Sequence, residues 1–158
     1  MDEGLSLKTH EAFLRKIARR STRLPRLKLF TTNYDLCFEA AASRTRFIVI
    51  DGFSHSMPQE FDGGYFSYDL VKRRDDREAP DYITNILHLY KLHGSVNWSR
   101  KDDGETEVVT NPSPESACLI YPAKGKYQQS YVQPHLELVS QYFSVLREPN
   151  TCLIVTGF

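Results

Sequence analysis

The chain has 158 residues, about one domain's worth, and 41% of them are apolar, enough for a single core. Twenty Lys and Arg balance twenty Asp and Glu, and this zero net charge argues against a purely electrostatic nucleic-acid binder or a polybasic membrane protein. Three scattered cysteines (Cys37, Cys118, Cys152) with no C-x-x-C pair argue against a disulfide framework and a four-cysteine zinc knuckle. No apolar run approaches the roughly 18 residues of a membrane span, and the N-terminus has no apolar signal segment. The expectation is a reduced, cytoplasmic globular domain.

Residues 9–20 (THEAFLRKIARR) set Phe13, Leu14, Ile17 and Ala18 at helical spacing, with basic residues on the other face. Pro25 breaks this pattern, and residues 26–32 (RLKLFTT) alternate as a strand does. Asn33 follows as a candidate N-cap, and residues 34–42 (YDLCFEAAA) read as a helix with Asp35 in its first turn. Residues 46–51 (RFIVID) form the short apolar run of a buried parallel strand. A polar, aromatic-rich loop comes next, with Gly63-Gly64 as a loop tip and residues 72–78 (KRRDDRE) as a charge run. Residues 86–94 (ILHLYKLHG) look like a strand ending at a glycine, and residues 96–110 like a hairpin around KDDG, with Trp98 in its core. Another strand, 117–122 (ACLIYP), stops at Pro122 and leads into a basic loop over 121–131. Pro134 opens a helix over 135–148, with Leu136, Leu138, Val139, Tyr142, Phe143 and Leu146 as a broad apolar face. Residues 151–158 (TCLIVTGF) read as a last buried strand.

Strands alternating with helices predict an α/β fold with a mostly parallel sheet. A final parallel strand with nothing after it reads as part of a truncated sheet, so residues 1–158 are expected to be a partial domain, cut at the C-terminal end. In open α/β sheets ligands bind just beyond the carboxyl ends of the strands. Three segments carry polar or glycine residues there: 30–35 (FTTNYD), 90–95 (YKLHGS) and 154–158 (IVTGF). Each also has a plain structural reading, Asn33 as a helix cap and His93 as a polar turn residue. The basic stretch from Lys8 to Lys28, with Glu11 as its single acid, is a solvated face or a patch for a partner. His55 and His88 lack the spacing of metal ligands.

Taken in order, TTNYD (31–35), KLHGS (91–95) and PHLELVSQYF (134–143) leading into LIVTGF resemble the sirtuin-like domains of bacterial NAD-degrading proteins, many of them anti-phage defence effectors. The resemblance runs from about Leu27 to Phe158 and implies a Rossmann-like, doubly wound, mostly parallel sheet. It implies an NAD hydrolase, with NAD as substrate and nicotinamide and ADP-ribose as products. It assigns Asn33 to the water and ribose, Asp35 to the nicotinamide carboxamide, and His93 as the base. Gly94 and Ser95 complete the His93 turn, and Gly157 matches the glycine of a later strand-end loop near the dinucleotide. Thr32 stands where the family has glutamine, so a ribose contact through an amide is not carried over. A histidine suits this chemistry because its unperturbed pKa lies near working pH.

Two family features are absent from the sequence. No paired C-x-x-C motifs build a zinc module, so no zinc is expected and protein deacetylation is disfavoured. No glycine-rich turn seats a pyrophosphate on a helix N-terminus, which adds a missing N-terminal βα unit to the partial-domain expectation. The resemblance implies a homo-oligomer with no membrane contact and a partner effector, such as an ATPase or a nucleic-acid-guided protein. The rival reading is a non-catalytic sensor of NAD or ADP-ribose, or an oligomerisation module, that gates such a partner.

Overall fold

The computed structural model describes residues 6–73, 81–120 and 132–157. In chain order the elements are helix α1 (Lys8–Ile17), strand β1 (Lys28–Thr31), helix α2 (Cys37–Thr45), strand β2 (Ile48–Ile50) and a 3-10 helix (Gly63–Ser67). Strands β3 (Val71–Lys72), β4 (Asp81–Tyr82), β5 (Ile86–Lys91), β6 (Gly94–Arg100), β7 (Thr106–Val108) and β8 (Ala117–Leu119) follow, then helix α3 (His135–Leu146).

All six residues of β5 are buried, because this strand is the middle of a parallel sheet ordered β1-β5-β2. Lys28 pairs with His88 on one side and Ile48 with Ile86 on the other. A central parallel strand is covered on both faces and therefore reads as a continuous apolar run. Its side chains split by alternation. Leu87 and Leu89 pack with Leu14 of α1 and with Ala41 and Ala42 of α2. Ile86 and Tyr90 join Phe53, Phe66, Trp98 and Leu138 of α3 on the opposite face. The Tyr90 ring is stacked between Phe30 at 4.4 Å and Phe66 at 4.0 Å, a geometry that adds to its buried area. Full burial of Leu14, Leu87, Leu89 and Leu138 contributes about 1.5–3 kcal/mol each.

Beyond β5 the chain turns back into an antiparallel sheet, β7-β6-β8, as the hairpin pattern predicts. Trp98 is 2% exposed and packs 5.0 Å from the Phe53 ring, a core residue as expected.

Four local expectations are corrected. The second helix begins at Cys37 with Leu36 in the N-cap position, and the Asp35 carboxylate just before it accepts from the Cys37 amide at 2.9 Å. Asn33 caps nothing; its own amide donates to Thr31 Oγ1 at 3.1 Å. Gly63-Gly64 is no loop tip but opens the 3-10 helix, where Asp62 accepts from Gly64 N–H and a Cβ at Gly63 would meet Glu137 Cγ at 2.6 Å. Helix α1 stops at Ile17, three residues short of its expected end. Residues 151–157 form no strand, and all seven are exposed. Strand preference expresses fit to a pleated, half-buried surface, and these residues have no ladder partner among the described residues. The predicted loop at 121–131 and most of the charge run at 72–78 lie outside the described residues.

Candidate functional site

Because β1 and β5 are parallel neighbours, the loops that follow them open at the same end of the sheet. Backbone hydrogen bonds join these loops. Leu92 N–H donates to Thr31 O at 2.9 Å, and Val96 N–H donates to Tyr34 O at 3.0 Å. The TTNYD and KLHGS segments thus lie side by side, with Thr32, Asn33 and Asp35 exposed and His93 half-buried. This is the strand-end position at which α/β sheets take ligands.

The His93 turn is tightly built. Gly94 has φ +84°, and a Cβ there would sit 2.0 Å from the Cys118 carbonyl oxygen, so the turn requires glycine. The His93 carbonyl accepts from Ile120 N–H at 2.9 Å. Beneath the turn lies His135, 2% exposed, with Nδ1 3.3 Å from Leu92 O and Nε2 3.6 Å from Cys118 Sγ. A carbonyl only accepts, so Nδ1 carries the proton and Nε2 is left to accept from the thiol. Burial pushes the His135 pKa down to about 4, keeping the ring neutral, and pushes the Cys118 thiol up.

Around Asp35, partial burial pushes the carboxyl pKa up, but bonds from Cys37 and the charge of Lys91 outweigh it and leave it below the ordinary value. Lys91 is 2% exposed, and its ammonium donates to Asp35 O, to Glu39 Oε1 at 2.7 Å and to Ser95 Oγ at 2.7 Å. Ser95 is fully buried in this contact. Just after β2, Asp51 has its pKa raised to about 6 by burial, with Glu39 adding repulsion and the Phe53 amide pulling it back.

The structure therefore brings together the loops carrying Thr32, Asn33, Asp35, His93, Gly94 and Ser95, with Gly94 and Ser95 inside the fold. Gly157 is exposed at φ +87°, with nothing within 4 Å of its Cβ position. Sequence reasoning missed Lys91, Glu39, Asp51 and His135. The alternation Leu87, Leu89, Lys91 was the available signal for Lys91, since it puts that side chain on the α2 face. His88 is a core histidine, buried, with both ring nitrogens unpartnered among the described residues and its pKa lowered by burial. No group of His, Cys, Asp and Glu among the described residues could hold a metal ion. A cavity of about 400 Å³ lies elsewhere, under α3 between Lys28, Tyr90, Glu137 and Gln141.

Fold and site together define an α/β protein with polar loops converging at the carboxyl end of a parallel sheet. Residues 27–158, most of the chain, match the family model for the SIR2-like domain, and the chain belongs to that family. SIR2-like domains bind NAD and are commonly NAD-dependent enzymes. No curated protein matches the chain. No helix among the described residues is long and apolar enough to cross a membrane.

Proposed function

We propose that this chain hydrolyses NAD to nicotinamide and ADP-ribose at the crevice between the 31–35 and 92–96 loops. The observation that carries the reading is the pairing of those loops, through Val96 N–H and Tyr34 O, at the shared end of β1 and β5. The bond that breaks joins the ribose C1′ to the nicotinamide ring nitrogen, and its electron pair leaves with nicotinamide. Water then adds at C1′ and gives up its proton. His93 takes that proton, Asn33 orients the water and the ribose without titrating, and Asp35 holds the carboxamide. Holding reactants in line lowers the barrier by up to about 7–11 kcal/mol in well-oriented systems. Thr32 lies beside the ribose in this reading, and Gly94 shapes the turn.

The same reading takes the parallel sheet as the middle of a Rossmann-like, doubly wound one, with no structural zinc. The family resemblance supports a cytoplasmic, oligomeric setting in anti-phage defence, where NAD depletion is triggered through a partner effector. A sensor of NAD or ADP-ribose is the second reading, favoured by the commitment of the Asp35 carboxylate and the Ser95 hydroxyl to bonds within the fold.

Incubating the full chain with NAD and separating the products distinguishes the two. Hydrolysis gives nicotinamide and ADP-ribose in equal amounts. Saturable ADP-ribose binding with no nicotinamide release would replace the hydrolase by the sensor.

A further inference from the structure

We propose that Lys91 is a positioning residue for this crevice, setting the 31–35 loop against the 92–96 loop and thereby the exposed Asn33, Asp35 and His93. Its effect on turnover rests on the hydrolase reading; its effect on the loops does not. Lys91 ends the central strand, two residues before His93, and its register partner Thr31 ends β1. An ammonium has three donors, and here they meet three acceptors on three separate segments: Asp35 O after β1, Glu39 Oε1 on α2, and Ser95 Oγ on β6. The hydroxyl of Ser95 then has its proton free for Tyr34 O at 3.5 Å, and the same carbonyl accepts from Val96 N–H. Two consecutive carbonyls of the Asn33 loop, Tyr34 and Asp35, are thus held from the β5–β6 side.

Net stability is a poor explanation for such a group. A buried ion pair replaced by apolar side chains of similar size is often neutral in stability or better. What the ammonium supplies, and an apolar side chain does not, is directional bonding to two loops at once.

Amide hydrogen exchange on the full chain, read by NMR, tests the clamp without any ligand. The variant carries Lys91→Met and Glu39→Met together, so that no carboxylate is left unpaired. Val96 and Cys37 amides are expected to exchange at least about 10-fold faster than in the parent, while Leu87 and Leu89 in β5 keep parent rates, as for local rather than global opening. In NAD turnover the same variant is expected to lose about 100-fold in kcat with KM little changed, the scale of a 1 Å misplacement. Glu39→Gln, which keeps an oxygen acceptor for Lys91, is expected to stay close to parent. Unchanged protection at Val96 and Cys37 would overturn the proposal. Faster exchange throughout β5 would make Lys91 a general core residue and overturn it equally. Loosened loops with parent-like kcat would remove the positioning role. A parent chain that releases no nicotinamide would refute the hydrolase reading, and the exchange comparison would still decide the clamp.

Discussion

The amide of Val96 donates to the carbonyl of Tyr34 across 3.0 Å, and this bond ties the first residues of β6 to the loop after β1. Residues 62 positions apart in the chain become neighbours because β5 is inserted between β1 and β2. The order β1-β5-β2, and not either motif alone, brings the two loops together.

The capping geometry separates the two polar residues of the first loop. Asp35→Ala removes the oxygen that accepts from the Cys37 amide, and should destabilise the chain by about 1 kcal/mol. Asn33 does not cap the helix in the parent, so Asn33→Ser should stay within about 0.5 kcal/mol. Urea denaturation of both variants decides the matter; equal losses would return the cap to Asn33. Because the Asp35 pKa is lowered in the folded state, its contribution is present above the ordinary value of 3.8 and lost as pH falls through the folded value.

Gly94→Ala should be among the most damaging single substitutions. It combines φ +84° with a Cβ 2.0 Å from a backbone oxygen that cannot rotate away. A loss above about 2 kcal/mol is expected, beyond the common range of glycine-to-alanine changes. A denaturation midpoint equal to the parent's would show that the His93 turn is not held as described.

His135 makes stability fall on the acid side. Its folded pKa of about 4 lies below the ordinary 6.5, so the unfolded chain binds more protons between these values. The stabilisation is complete above about pH 6.5 and is lost as pH falls toward 4, by up to about 3 kcal/mol. Chemical denaturation across this range should show the slope in the parent and not in His135→Gln.

Asp51 acts with the opposite sign. Its folded pKa of about 6 exceeds the ordinary 3.8, so the folded chain binds the extra proton, and stability is lost as pH rises from 3.8 to 6. Asp51→Asn, which keeps an acceptor for the Phe53 amide, should raise the melting temperature at pH 7.5 and lose that advantage near pH 4. A variant no more stable than the parent at pH 7.5 would contradict the burial-driven shift.

The elements most legible in the sequence were those whose residue pattern matched a buried environment. The runs around Ile48–Ile50 and Ile86–Lys91 are strands because both faces are covered, and Pro134 marks the start of α3. Composition misled at residues 151–157, where the same apolar character has no partner strand among the described residues. At the site, the segments Thr31–Asp35 and Leu92–Ser95 stood out as polar and glycine residues at predicted strand ends, in the order of the family's motifs. Lys91 and His135 were not, since charged and titratable side chains are normally placed at the surface. Their burial follows from acceptors that only the folded chain assembles, Asp35 O and Leu92 O, both main-chain atoms that carry no sequence signal.

In the proposed reaction His93 is the base, acting where the 31–35 and 92–96 loops meet. The direct measurement is nicotinamide release from NAD by the full chain and by His93→Ala, alongside the thermal melt of each. Loss of at least about 100-fold in kcat with a melt like the parent's is the expected result, in line with general-base contributions. Turnover at the parent rate in a folded His93→Ala chain would show that His93 is not the base.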